Sequence, residues 1–261
     1  DTTMKLLKKF LLATTPLLLM AACGGGDDSV DDRLSLADPK VRFVHAYEGG
    51  PAVGLYRGTG GATGGTIGGA DNVNYRFASN YFDVSSTPAD YSVRTTVGNV
   101  QLSTLNLNPH QGDKYTFLAY AGLLGVPGVL FIEDPYNKSL TNNNARVRVA
   151  NASNNTTAVD VYITPTTTDI ATVSANYSNV TLGNAVPGTG ADSHEFAGNN
   201  YQLRITTTGT KNVVFNAPLN LAQNADVLLV TVPSGLLPGQ IKVLAVTAGA
   251  GTTAPEILTT P

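Results

Sequence analysis

VRFVHAYEGGPAVGLY, residues Val41 to Tyr56, recurs as VRVANASNNTTAVDVY, Val147 to Tyr162, displaced by 106 positions without a gap. Val41/Val147, Arg42/Arg148, Ala46/Ala152, Ala52/Ala158, Val53/Val159 and Tyr56/Tyr162 are identical. In the first copy Val41, Phe43 and His45 alternate with their neighbours, a Glu48-Gly-Gly-Pro51 turn follows, and Ala52 to Tyr56 resumes the extended pattern. That is a strand, a turn and a second strand. The recurrence implies one β module built twice.

Outward from this stretch the agreement continues. Tyr91-Ser-Val-Arg94 matches Tyr201-Gln-Leu-Arg204, and Leu105-Asn-Leu107 matches Leu219-Asn-Leu221. Asp113 matches Asp226, and Gly122-Leu-Leu124 with Pro127-Gly128 matches Gly235-Leu-Leu237 with Pro238-Gly239. In the first copy Asn72–Phe77, Tyr81–Val84, Tyr91–Val97, Val100–Leu107, Lys114–Tyr120 and Val129–Ile132 read as further strands rich in Val, Thr, Tyr and Phe. No window carries an apolar period of 3.6 residues over a helical length, and a turn roughly every 8 to 12 residues is the spacing of a sandwich or barrel. The expected fold is all-β: two tandem antiparallel β-sandwich domains of immunoglobulin-like type.

A chain of 261 residues has room for two such units. Each, at roughly a hundred residues, buries ~65% of its unfolded surface and needs no metal or disulfide to hold a core. The expected boundaries are residues 39–140 and 145–248, with the Pro- and Asn-bearing stretch Asp134–Asn144 between the modules and a small, polar, frayed tail at 249–261. Gly58 to Ala70 is glycine-rich but leads into a strand-like segment rather than a helix, so it reads as a loop and not as a phosphate cradle.

Residues 1–22 read as an export signal, with residues 1–3 an upstream scar before Met4. Lys5, Lys8 and Lys9 are its positive region, and Phe10–Leu19 is an apolar run too short for a bilayer of ~30 Å. Met20-Ala-Ala-Cys23-Gly24 follows and resembles a bacterial lipobox. That resemblance implies acylation of Cys23 and cleavage before it, and Gly24 in place of Asp implies the outer membrane. Cys23 is the chain's one cysteine; acylation removes a thiol that an oxidising compartment would attack. The glycines and aspartates of residues 23–38 read as a solvated tether, with Asp27, Asp28, Asp31 and Asp32 lacking the spacing of a calcium loop.

Charged residues make up 13% of the chain against a typical ~25%, their place taken by Thr, Asn, Gly and Ser. Without residues 1–22 the chain keeps 13 basic and 18 acidic side chains, a net charge of about −5. That balance excludes nucleic acid as a partner, because its phosphates call for clustered Lys and Arg.

The pattern V-R-x-x-x-A-x5-A-V-x-x-Y, followed by the Tyr-x-[Val/Leu]-Arg and Leu-Asn-Leu segments and the Asp, resembles the DUF4397 family over nearly all of residues 40–248. Ala158-Val-Asp-Val-Tyr162 carries the likeness best, while Gly54 stands where the second copy has Asp160. The resemblance implies β-rich tandem domains of bacterial secreted and surface proteins, and it implies no chemistry.

The residues themselves offer little chemistry either. His45, His110 and His194 lie in no zinc or metalloprotease spacing, and no Gly-x-Ser-x-Gly elbow occurs. No metal, cofactor or catalytic residue is expected. Arg42/Arg148 and Arg94/Arg204 with Asp113/Asp226 recur, as a carboxylate- or sugar-binding pair used twice or, on the reading preferred here, as solvent-face or cross-strand charges. Tyr91 and Tyr201 fit tyrosine corners. The Asn-x-Ser/Thr triplets at Asn151, Asn155 and Asn176 read as ordinary turn and surface residues. The expected role is that of a non-catalytic surface or periplasmic lipoprotein held to the membrane through Cys23, a spacer or interaction module. The alternative is an adhesin or carbohydrate-binding lipoprotein using Tyr47, Tyr75 and Tyr81 toward a cell-surface protein or glycan. A polymer hydrolase would need two convergent carboxylates, and the sequence marks no such pair.

Overall fold

The computed structural model describes residues 30–58, 64–249 and 251–260. The export signal, Cys23 and the middle of the glycine-rich loop lie outside the described residues. Among the described residues the structure is all-β apart from one helical turn, α1 (Val30–Arg33), and two single 3-10 turns.

In the first half the strands are β1 (Lys40–His45), β2 (Val53–Gly58), β3 (Gly65–Thr66), β4 (Phe82–Asp83), β5 (Ala89–Thr95), β6 (Gln101–Leu107), β7 (Lys114–Ala121) and β8 (Pro127–Asp134). They form an outer sheet, β3-β2-β5-β6, and an inner sheet, β4-β1-β7-β8. The second half has β9 (Ala145–Asn151), β10 (Ala158–Thr164), β11 (Tyr177–Thr181), β12 (Ala185–Val186), β13 (His194–Phe196), β14 (Asn199–Thr207), β15 (Val213–Leu221), β16 (Asp226–Pro233), β17 (Ile241–Thr247) and β18 (Glu256–Ile257). Its outer sheet is β11-β10-β14-β15, and its inner sheet is β12-β9-β16-β17-β18, with β13 also on β9.

Most neighbouring strands are antiparallel, but one pair in each half is not: β1 runs parallel to β7, and β9 to β16. The chain leaves β1, builds the outer sheet, and returns beside β1 in the same direction. Such a long crossover is what parallel pairing requires. The Asn72–Phe77 segment is not a strand, since Asn72 and Arg76 take positive φ angles of 52° and 74° that break an extended run.

Three cores hold the stack together. Val41, Phe43, Leu55, Tyr91, Val93, Tyr115 and Phe117 fill the space between the first pair of sheets. Val147, Val149, Val161, Leu203, Ile205, Phe215 and Leu229 fill the second. The third core lies between the two inner sheets, where Val44, Ala46, Leu118 and Ile132 meet Ala150, Ala152, Leu228, Val230 and Val246. The molecule is thus four β layers thick, and β1, β9, β16 and β17 are buried on both faces. Each fully buried Val or Leu in this seam contributes ~1.5–3 kcal/mol, so the halves are bound by a core and not merely by a linker.

Both ends of the described chain pack. Asp32 of α1, expected in a solvated tether, is buried and lies 3.2 Å from Lys40 Nζ. Arg33 donates to the Leu140 carbonyl and to Asn224 of the second half. The tail expected to fray crosses the seam instead: Ala254 joins the third core, Phe77 bridges Thr253, and β18 extends the inner sheet of the second half.

The pairing registers also revise the internal alignment. Val41 pairs with Tyr115 as Val147 pairs with Val227, so Asp226 is equivalent to Lys114 rather than to Asp113. On the outer sheets Arg57 faces Tyr91, while its equivalent Ile163 faces Leu203, two residues beyond Tyr201. Consequently Tyr91 and Tyr201 hold different posts. The Tyr201 hydroxyl donates to the Ala197 carbonyl, four residues upstream, as in a tyrosine corner; the Tyr91 hydroxyl accepts from Arg57 Nε.

Candidate functional site

The seam carries a cluster of buried charge. Asp134, at the end of β8, sits between two arginines of the second half, 2.9 Å from Arg146 Nη2 and 3.1 Å from Arg148 Nη2. Its carboxylate also accepts from the Ser193 hydroxyl and the Tyr136 backbone N–H. Burial pushes the Asp134 carboxyl up, but the two guanidiniums and these hydrogen bonds outweigh burial and hold it below the usual carboxylate range. Arg146 also meets Asp192, and Arg148 donates to the carbonyls of Pro187, Gly188 and Ala191. Lys114 and Asp226, equivalent positions of the two halves, face each other at 3.7 Å.

The recurring Arg and Asp residues do not form the twice-used ligand pair. Arg42 is buried, donating to Thr116 Oγ1 and standing 4.5 Å from the centre of the Tyr81 ring. Arg94 donates to Ser92 and Gln101, and Arg204 to Thr164 and the Thr168 carbonyl. Asp113 is bonded to Tyr115 and lies near His110. A charge in the sequence is ordinarily read as solvent-facing. Arg42, Arg146 and Arg148 are exceptions because their strands have a sheet on either side.

His45 and His194 are structural. His45 is buried, its Nε2 lies 3.0 Å from the Pro51 carbonyl, and its Nδ1 accepts from the Tyr47 N–H. Burial lowers its pKa, which fits a neutral ring. His194 stacks on Tyr177 at 4.9 Å.

The loop-rich end is where surface features gather. β7 and β16 both finish there, and their hairpin tips carry the repeated Gly-Leu-Leu segments. Leu124 and Leu236 stand fully exposed, flanked by the largely exposed Leu123, Val126 and Leu237. Leu124 takes a left-handed backbone with φ 57°, which a leucine adopts only where the surrounding chain imposes it. An open depression of about 530 Å³ beside the first tip is lined by Tyr120, Leu123, Pro127, Thr157, Thr181 and Leu182. A second, of about 310 Å³, is bordered by residues of both tips. Tyr120 lies against Gly128 and Gly183, where an added Cβ would strike its side chain.

Of the three tyrosines named from sequence, Tyr47 borders the second depression, and Tyr75 and Tyr81 line neither. Tyr47 donates to the Gly125 carbonyl, Tyr75 to Glu256, and Tyr81 lies under Arg42 and Lys114. Sequence reasoning missed Tyr120 because it ends a strand that reads as core.

At the opposite end, His110, Asp113 and Glu133 converge, their ligating atoms all within 4.8 Å of one another. The signal was present in the β7–β8 hairpin, whose register sets Glu133 opposite Tyr115.

Residues 39–162 match the family described as Domain of unknown function (DUF4397). The match spans the first half and continues through β9 and most of β10. No curated protein matches the chain. Among solved structures, one similar to it is CBMbc, of carbohydrate-binding family CBM26, from Eubacterium rectale Amy13K in complex with maltoheptaose. Identity is 8%, with 86% of this chain and 98% of that chain covered at a TM-score of 0.24. Another comes from work on α-glucan recognition by family 41 carbohydrate-binding modules of streptococcal virulence factors, with 13% identity, 75% and 93% covered, and a TM-score of 0.22. At these TM-scores neither likeness bears on what this chain binds.

Proposed function

We propose, with the DUF4397 match over residues 39–162 as premise, that the protein is a non-catalytic interaction module of the bacterial cell envelope. It comprises two tandem copies of that domain, anchored through an acylated Cys23 and borne on the outer membrane. The observation that carries this reading is the third core, which joins the two sandwiches into one body. A jointed pair would serve as a slack tether; a fused pair presents a surface at a set distance. α1 lies beside the start of β1, and both Gly-Leu-Leu tips lie past the far ends of β7 and β16. The eight residues of β7 separate these ends by roughly 26 Å at ~3.3 Å per residue. The tips and their depressions therefore point away from the attachment end. Metabolic labelling with a palmitate analogue tests the anchor: wild type takes up label and Cys23→Ser takes up none. Equal label on the variant would dispose of the lipid at Cys23.

A second reading, glycan binding, is favoured by Tyr120 beside Thr157 and Thr181 in the larger depression. An aromatic side chain flanked by hydroxyls can stack on a sugar ring and hydrogen-bond its rim. On a glycan array the wild type is expected to retain oligosaccharides that Tyr120→Ala does not. Silence of the wild type across the array would leave the interaction-module reading with a protein or lipid partner.

A further inference from the structure

We propose that His110, Asp113 and Glu133 form a binding site for a divalent transition ion of the Zn²⁺ class. One imidazole nitrogen and two carboxylates are borderline N/O donors, the set that suits Zn²⁺ or Mn²⁺; Ca²⁺ collects six to eight oxygens.

The chain builds the corner from two segments. The turn before β7 brings His110 Nδ1 to 3.5 Å from Asp113 Oδ2. Gly112 makes that turn with φ 83°, and any Cβ there would strike Ser35. The β7–β8 register then carries Glu133 in from twenty residues later. Tyr115 orients the group, donating to Asp113 Oδ2 at 3.1 Å and accepting from the His110 backbone N–H at 3.0 Å. A fixed outer hydrogen bond of this kind is what ligating carboxylates in metal sites receive.

The fold does not need these groups. Pairing registers make Ala225 the equivalent of Asp113, Val227 that of Tyr115 and Thr247 that of Glu133. The second half thus builds the same corner with no carboxylate at either position. In the first half the Glu133 carboxylate has no hydrogen-bond or ion-pair partner among the described residues, although Glu133 is half-buried. Two acids so placed repel each other, and a cation between them removes that cost. With bonds of ~2.0–2.2 Å in tetrahedral geometry the ligating atoms must draw to about 3.3–3.6 Å of one another, which asks roughly 1–1.5 Å of movement from the widest separation. His110 can supply it, since its side chain is 66% exposed.

The site adjoins the seam. The Glu133 N–H donates to Thr189 Oγ1, and its carbonyl accepts from the Gly190 N–H, both in the second half. An ion held by Glu133 therefore braces the contact between halves.

Isothermal titration of the full-length chain with Zn²⁺ is expected to show one ion bound at this corner and a higher melting temperature with the ion than without. Asp113→Asn and Glu133→Gln should each lose that binding event, His110→Ala should weaken it strongly, and Tyr115→Phe should weaken it by ~10-fold or more. Metal-free melting curves show whether each variant is folded, so a misfolded one is recognised by its own curve. Absence of heat at millimolar Zn²⁺ would overturn the proposal. So would Zn²⁺ binding undiminished in the Asp113 and Glu133 variants, which would assign it to the N-terminal aspartates or another histidine. Preferential Ca²⁺ binding indifferent to His110→Ala would overturn the ion class.

Discussion

Asp134→Ala is expected to destabilise the folded protein by about 3–5 kcal/mol, the cost of removing one partner from a buried ion pair. Arg146 and Arg148 would keep their burial and lose the carboxylate between them. For a chain of this size that is a fall in melting temperature of roughly 10 °C, at ~2–4 °C per kcal/mol. Asp134→Asn, which keeps the shape and loses the charge, should fall between. Circular dichroism during heating measures all three, and a change under 1 kcal/mol in Asp134→Ala would show that the clamp is dispensable. The same residue sets an acid limit. Its folded pKa is depressed, so its contribution is present above the unfolded value of ~3.9 and is lost as pH falls through the lower folded value. His45 and His194 act at milder acidity. Their folded pKa values are lowered, by burial first and for His194 also by Arg148, so stability declines as pH falls below the unfolded value of ~6.5. Asp134→Ala should keep the second loss and lack the first.

Val230→Asp is expected to part the halves while each keeps its own core. Val230 lies fully buried in the seam between the inner sheets and belongs to neither of the flanking cores. A carboxylate there has no partner, and burying it costs several kcal/mol, which separation of the halves relieves by exposing it to water. Calorimetry should then show two transitions where the wild type shows one, and limited proteolysis should cut within residues 135–144. One transition at a reduced temperature, with no cut, would mean that the halves cannot stand apart and that the seam is part of a single folding unit.

Alternation in the sequence carries the strands of the outer sheets well. Leu55, Tyr91 and Val93 face inward while Tyr56 and Arg94 point to the other face and reach the surface. It fails on β1 and β9, where Arg42 and Arg148 read as solvent residues and prove to be buried. The cause is a third core formed by residues far apart in sequence; no local window contains its other side. Asp32 fails for the same reason, since composition describes a solvated segment and Lys40 supplies the partner. Identity between copies misled the alignment of Asp113 with Asp226, because a one-residue shift in a strand exchanges its faces and only the hydrogen-bond ladder fixes it. The corner of His110, Asp113 and Glu133 could be found only by pairing β7 with β8. Tyr120 needed the tertiary placement of Gly183, sixty-three residues later.

The hairpins β5–β6 and β14–β15 sit on their neighbours with a two-residue difference in register relative to the sequence match. A displacement of two returns every side chain to its own side of the pleat, so the oily interior did not register the slip. The inner strands, squeezed from above and below, have no such latitude. New binding chemistry can therefore be written on the outer strands and their loops, by insertion or by wholesale exchange of a hairpin, while the inner pair of sheets serves as an unaltered chassis.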